Sequence, residues 1–255
     1  MLGLCFSFVY VINPIDVDIV GAANTVNNVI TCVKENEGAM ENFECVNIKK
    51  LEKIVMGLSS KKELMKGYLV ILKAAFPVIR EELLGLINIS LSKGQCPDGW
   101  KTSTIVPIPK LTNLKKASEY RPINILPTYE KILELVVKDQ LEAYFDSNDV
   151  ITVHQFGFRK HHSCETAIQV IIDKWKLIIS RGKMVGVIFM NLKRAFETVD
   201  RGRLLKKLHD YGIRENVLAW LRSYLCNRKQ QVKFNNKWSK LVNAVTTLIV
   251  IETHL

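Results

Sequence analysis

The run Val185-Gly186-Val187-Ile188-Phe189-Met190 is apolar throughout and stops on a polar residue, Asn191, which Lys193, Arg194, Ala195 and Phe196 follow closely. An apolar run of this length reads as a strand covered on both faces. A polar residue at its tip is placed as the first ligand of an active site would be. The chemistry expected there is metal binding by a carboxylate, because hard divalent ions need anionic oxygen ligands. Asn191 supplies an amide, with one neutral carbonyl oxygen and no charge, so a dication loses its dominant attraction. Glu197 and Asp200 are acidic, but both lie beyond the strand end.

Other residue types that could do chemistry are scattered. Six cysteines (5, 32, 45, 96, 164 and 226) contain no C-x-x-C pair, so neither a zinc site nor a disulfide framework is suggested. A reducing, intracellular setting fits them best, with the cysteines acting as small core residues. His161 and His162 stand together without an acidic or cysteine partner and do not make a metal site. Asn88-Ile89-Ser90 has the form of a glycosylation sequon but falls inside a helical pattern. The first thirteen residues are apolar yet too short to span a bilayer, and they lack the basic start of a signal peptide. The expected setting is therefore soluble and intracellular, cytoplasmic or nuclear, not secreted and not in a membrane.

The elements that must position these residues are mostly helices. Ile48, Leu51, Val55 and Leu58 keep helical spacing. Two further helices are expected on either side of Pro77, with the proline at the first position of the second and Ile79, Leu83, Leu86 and Ile87 on its apolar stripe. Gly94, Pro97 and Gly99 stop it. "WKTSTIVPIPK" reads as an edge strand or an extended arm, because Pro107 and Pro109 cannot donate to a ladder. Helices are expected with Ile132, Leu133, Val136, Leu141 and Tyr144 on one face, with Ile168, Ile171, Ile172, Trp175 and Ile178, and around Leu204–Tyr211 and Val217–Leu225. "KQQVKFN" and "KLVNAV" suit a hairpin around "NNKW". The order predicts a mixed α/β or α+β architecture.

Charge narrows the possible partners. The formal net charge is +11, yet residues 1–50 carry three Lys/Arg against six Asp/Glu. Residues 151–240 carry nineteen against six, more than the entire excess. A basic face concentrated in one segment is the footprint of polyanion binding, or of a solvated basic surface.

Five blocks carry a resemblance beyond these patterns. In order they are "SLSKGQCPDGWKTSTIVPIPK", "EYRPINIL", "VITVHQFGFRKHHSCETAI", "VGVIFMNLKRAFETVDRGRLLKKLHDYGI" and "LRSYLCNRKQQVKFN". Together, from about Phe43 to about Val245, they resemble the reverse transcriptase domain of non-LTR (LINE/jockey-like) retrotransposons. The resemblance implies an α+β, partial right-hand polymerase fold with fingers and an incomplete palm, helix-rich with a small antiparallel sheet. Residues 43–245 would form that partial domain, 1–42 a weakly ordered lead-in outside it, and 246–255 a divergent tail.

The family's activity, RNA-directed DNA polymerisation, is two-metal nucleotidyl transfer with Mg²⁺ or Mn²⁺. Its first palm motif, of the type L-D-L-x-K-A-F-D, matches Met190 to Glu197, which puts Asn191 where the metal-binding aspartate stands. The resemblance implies nucleotide contacts at Lys110, Arg121 and Phe196, the last matching the bulky residue that excludes a ribose 2′-hydroxyl. Phe196 reads equally as a core phenylalanine. Gln155, Gly157 and Arg159 match the template-side block, where Gly157 would allow close backbone approach; Phe156 and Phe158 fit that role or plain packing. Arg222, Arg228, Lys229 and Lys233 form a basic trail suited to a nucleic-acid backbone. After "KLVNAV" the family pattern breaks, and no Asp-Asp pair occurs in the 255 residues. The expectation is a truncated, degenerate and catalytically inactive domain that binds divalent metal poorly. It would keep weak, salt-sensitive affinity for an RNA or DNA template-primer, with no defined protein partner. The alternative is a retroelement-derived module that binds nucleic acid or protein without catalysis, and a third reading is a working polymerase with an unusual ligand set or completed by another chain.

Overall fold

The computed structural model describes residues 38–59, 63–109, 119–187, 189 and 199–244. These fall into two compact units, 38–145 with 199–244, and 146–189. Six α-helices and a small sheet make an α+β architecture among the described residues.

In the first unit α1 (Ile48–Gly57) starts where the Asn47 side chain accepts a bond from Lys50 N–H, and it buries Leu51 and Val55. Next comes α2, a single helix of 30 residues (Glu63–Ser92) with Pro77 inside it, where two helices were expected. The proline removes a backbone bond at a cost of about 3 kcal/mol. Leu69, Phe76, Leu83, Ile87 and Leu91 are buried along one side across it, each worth about 1.5–3 kcal/mol, so burial wins. Leu86, placed on the expected stripe, is instead exposed.

The end of α2 is built around Gly94. It sits at φ +60°, its N–H reaches Leu91 O, and Gln95 N–H reaches Ser90 O at 3.1 Å. That pairing satisfies the orphan carbonyls of a helix end as a Schellman motif does.

A short 3₁₀ turn (Asp98–Trp100) leads into β1 (Thr102–Pro109), and β2 (Tyr120–Ile125) follows. Helix α3 (Thr128–Ser147) buries Ile132, Leu133, Val136 and Leu141 as expected. Tyr144 is partly buried, with its hydroxyl donating toward Gly38 O and Tyr211 O. Its polar residues Glu130 and Glu134 are buried too, which amphipathic periodicity did not foretell. Two more helices of this unit are α5 (Arg201–Asp210) and α6 (Glu215–Leu225), each close to its expected bounds. They precede β3 (Lys229–Phe234), β4 (Lys237–Trp238) and β5 (Val242–Asn243).

The sheet runs β2-β1-β3-β4, with β5 also on β3. It is mixed, not antiparallel: β1 and β3 are parallel from Thr102↔Lys229 to Ile105↔Val232. A long helical crossover separates them, which is the connection a parallel pair requires. β1 is thus paired on both sides, not an edge, at Thr104 and Ile105. Pro107 and Pro109 lie past the last β3 partner, where only β2 pairs, so their missing donors cost no second ladder. The expected hairpin forms, turning through Asn235 and Asn236, both at positive φ.

One core joins α1, α2, α3 and α6. Trp220 is 1% exposed, stacks on Tyr224 and donates its indole N–H to Ser90 Oγ at 2.9 Å. The extended stretch 43–46 is held by side-chain amides on both sides. Asn88 of α2 bonds both Val46 N–H and Val46 O, and Gln140 of α3 bonds both Glu44 N–H and Glu44 O. Asn88 is therefore spoken for structurally. Residues 40 and 41, in the expected lead-in, bond to the 212–217 stretch through Met40 N–H, Met40 O and Glu41 O.

In the second unit α4 (Cys164–Ser180) opens on a Ser163/Thr166 capping box and has no buried residue. Residues 184–187 and 189 form no strand, and Met184 and Phe189 are exposed. The expected buried strand is therefore absent from the described part of that run. A strand exists only beside a partner, and every described ladder pairs β1 to β5 with each other.

Replacing Gly94 by Ala would force an L-residue into the left-handed region and set its Cβ 2.9 Å from Asn216 O. A loss of about 1–2 kcal/mol or more is expected from conformation alone. Urea unfolding would read it, and an unchanged midpoint would contradict this account of the α2 terminus.

Candidate nucleic-acid interface

Between α3 and the end of α6, where β3 is about to begin, lies a buried polar cluster. Glu130 and Glu134 stand one turn apart on α3. Glu130 Oε1 meets Arg228 Nη2 at 2.5 Å, with the two side chains 1% and 3% exposed. The Arg228 guanidinium lies 4.8 Å from the Tyr224 ring centroid and donates through Nη1 to Tyr224 O. The Tyr224 hydroxyl donates to Glu134. Buried Lys101 donates to Asp98 Oδ1 at 2.8 Å and to Ser223 Oγ at 3.3 Å.

Burial pushes the Glu130 carboxyl up to about 7, against the pull of Arg228. Burial likewise raises the Tyr224 hydroxyl, so it remains a donor, and lifts the Cys96 thiol to about 12, leaving it inert. Arg228 was expected on the basic trail, but the structure withholds it from solvent. A guanidinium that satisfies a buried carboxylate and caps an aromatic ring has no charge left to offer a phosphate.

What the cluster anchors is the junction of β1 and β3, where Lys229 N–H donates to Lys101 O at 3.0 Å. Side chains alternate along strands and paired residues share a face, so the registers sort the sheet. Arg121 pairs with Ile108, which shares a face with Thr102 and Thr104. Those pair with Lys229 and Gln231, and Lys233 pairs with Trp238. Arg121, Lys229, Lys233 and Trp238 therefore share one face. Tyr120, Val232 and Phe234 share the other, as the edge-on contact of Tyr120 with Phe234 at 5.8 Å requires. Arg121 and Lys229 are exposed, Lys233 is half-buried with Nζ 5.0 Å from the Trp238 ring centroid, and Trp238 is 53% exposed. Trp238 was not singled out from the sequence, although the period-two register across "NNKW" placed it opposite Lys233.

Arg222 is exposed on α6. In the second unit the template-side residues make local bonds. Gln155 donates to Gly157 O at 3.3 Å and Arg159 to Thr152 O at 3.2 Å. The left-handed conformation falls on Phe158 (φ 60°), not on Gly157. Neither Phe156 nor Phe158 is buried, and Phe156 packs edge-on against His162 at 5.3 Å. Lys110, Asn191 and Phe196 lie outside the described residues. Among the described residues no group of three or more His, Cys, Asp or Glu could hold a metal ion, and no helix is long and apolar enough to cross a membrane.

Comparison with known proteins gives the family. Residues 108–247, over half of the chain, match the family described as reverse transcriptase (RNA-dependent DNA polymerase). The chain is similar to "Probable RNA-directed DNA polymerase from transposon BS" of Drosophila melanogaster, 27% identical over 65% of this chain and 18% of that protein. It is 30% identical to "RNA-directed DNA polymerase from mobile element jockey" of the same organism, over 49% of this chain and 14% of that one. It is 23% identical to "Retrovirus-related Pol polyprotein from type-1 retrotransposable element R2" of Popillia japonica, over 58% of this chain and 20% of that one. The chain thus spans a fifth or less of the length of these relatives.

Two outcomes follow from the buried pair. The folded Glu130 carboxyl holds its proton more tightly than the unfolded one, so its stabilising share is full below about pH 4.5. It should fall by roughly 3 kcal/mol as pH rises through about 7. Unfolding measured from pH 4.5 to 8 should show this limb flattened in Glu130→Gln; an equal slope in both forms would refute it. Arg228→Ala should cost about 3 kcal/mol or more by stranding a buried carboxylate, while Arg222→Ala and Lys229→Ala stay within about 0.5 kcal/mol. Thermal melts of the three variants would expose the opposite ranking.

Proposed function

Because the chain belongs to the reverse transcriptase (RNA-dependent DNA polymerase) family, with relatives among non-LTR retrotransposon polymerases, we propose that it is a polymerase-derived domain that binds nucleic acid but does not extend a primer. The observation that carries the binding half is the gathering of Arg121, Lys229 and Lys233 on one sheet face. Fixed cations along an extended surface attract a phosphate backbone by releasing its counterions, whatever the base sequence. Arg222, also exposed, adds to the basic surface of the same unit.

The silent half rests on the donor set. Nucleotidyl transfer by the family's two-metal route needs carboxylates to hold both ions. By the likeness of Met190–Glu197 to the family's first palm motif, Asn191 puts an amide where one such carboxylate would stand. Such a set does not fit Mg²⁺ or Mn²⁺, which prefer charged oxygens. Lys110, Arg121 and Phe196 remain of a type suited to nucleotide binding, and Gln155, Gly157 and Arg159 to the template side, yet without the ions these contacts would position substrates that do not react.

Primer extension on an RNA template with Mg²⁺ or Mn²⁺ tests both halves, comparing the chain with Asn191→Asp while template retention is followed across a salt series. Retention that falls steeply with salt and no extension by either form is the expected result. Extension by the natural chain would overturn the inactive reading, and retention indifferent to salt would overturn the phosphate-binding one.

A further inference from the structure

We propose that the sheet face bearing Trp238, Lys233, Lys229 and Arg121 is a platform for single-stranded nucleic acid, on which a base stacks against the Trp238 ring. This rests on the reading that the chain binds nucleic acid, and adds to it the strand form and the residue that recognises it.

Trp238 is out of place as a structural residue. Trp220 is 1% exposed in the core, whereas Trp238 is 53% exposed on a two-residue strand. The turn before it, Asn235–Asn236, holds both residues at positive φ (47° and 60°), the conformation that matches hairpin twist and fixes the ring's position. A second device holds the loop behind the ring: Ser239 N–H donates to Val232 O and Val232 N–H to Ser239 Oγ, both at 2.9 Å. An exposed ring on a braced hairpin is a pre-formed contact surface, and ordering it costs little on binding.

The surroundings select the occupant. Lys233 Nζ lies 5.0 Å from the Trp238 ring centroid. The paired positions of this face carry Arg121, Lys229, Gln231, Asn243 and the threonines 102 and 104 beside the apolar Val106, Ile108, Ile123 and Ile125, with no carboxylate. From Arg121 on β2 to Trp238 on β4 is three strand spacings, about 14 Å. A polyanion satisfies the cations. Only one with open ring faces also uses the tryptophan, and a duplex keeps its bases stacked on each other. Cation–ring contacts are weak at exposed sites and base–aromatic stacking is stronger, so an arriving base can displace the Lys233 ammonium, which then meets a phosphate.

The test titrates the full chain with a twelve-nucleotide oligo(dT) at low salt, following tryptophan fluorescence and the anisotropy of a labelled oligomer. Quenching is expected on binding, because of the four tryptophans Trp238 is the exposed one, with Trp100 and Trp175 half-buried and Trp220 buried. Trp238→Ala should weaken binding about ten-fold or more and abolish most of the quench. Trp238→Phe, which keeps an aromatic face, should retain most of the affinity and shows that the loss in Ala is not unfolding. Lys233→Gln should lower the salt slope by about one. If Trp238→Ala binds as tightly as the natural chain with salt-sensitive affinity intact, the platform is refuted and general nucleic-acid binding stands. Equal competition by poly-glutamate, or tighter binding to a duplex of the same length, also refutes it. No binding by the natural chain removes both readings.

Discussion

The Glu130–Arg228 ion pair is the contact on which the first unit's architecture turns. It links α3 to the point where α6 gives way to β3, two places 98 residues apart in sequence. Two ions taken out of water are each expensive, and their attraction repays that only with good geometry and further bonds. Here the compensation is incomplete. Tyr224 supplies a ring beneath the guanidinium and a hydroxyl for Glu134. Glu130 Oε2, however, is buried without a hydrogen-bond partner among the described residues, and burial still pushes the Glu130 carboxyl up to about 7. Arg228 contacts Tyr224, Lys101 bonds Ser223, and Lys229 N–H donates to Lys101 O, so the start of β3 is tied to the start of β1. The parallel register Thr102↔Lys229 follows from that placement.

The same unit solves a second burial problem without charge. The stretch 43–46 passes between helices whose own backbone bonds are already spent, so its peptide groups have no ladder to join. Asn88 and Gln140 act as surrogate peptides, each giving one donor and one acceptor to a single residue's backbone. This pins the stretch at both helices and seats Phe43 edge-on against Trp220 at 5.9 Å. An apolar substitution of Asn88 would leave the part-buried Val46 N–H and Val46 O without these bonds, whereas the Glu44 groups bonded by Gln140 are open to water.

Elements set by their own periodicity were legible in the sequence: the apolar face of α3, the extent of α6 and the turn at Asn235–Asn236 all matched. Legibility failed where a distant partner decides. Pro77 looked like a helix start because local chemistry favours it there, but the continuous buried stripe from Leu69 to Leu91 overrode one lost bond. Pro107 looked like an edge marker, and is one only on the side where β3 has ended. Arg228 looked like its exposed neighbours Arg222 and Lys229, since burial by a glutamate 98 residues away leaves no mark in the local pattern. Trp238 looked like any hairpin residue until its register put Lys233 across from it. The family motif blocks were the most legible feature of all, because they record shared ancestry and not local physics.

Phosphate binding and nucleotidyl transfer make unequal demands on a surface. Backbone affinity is a sum over several cations, each contributing a similar increment and none needing placement better than a side chain's reach. Transfer depends on two ions held a few ångströms apart by carboxylates, and exchanging one ligand's charge for an amide removes the field that holds the ion. On the proposed reading, the amide at Asn191 is enough to silence chemistry, while burial of Arg228 in the interior still leaves Arg121, Arg222, Lys229 and Lys233 to the surface. A polymerase-derived domain that accumulates changes should shed catalysis early and affinity late, and the proposed function of this chain sits at that intermediate stage.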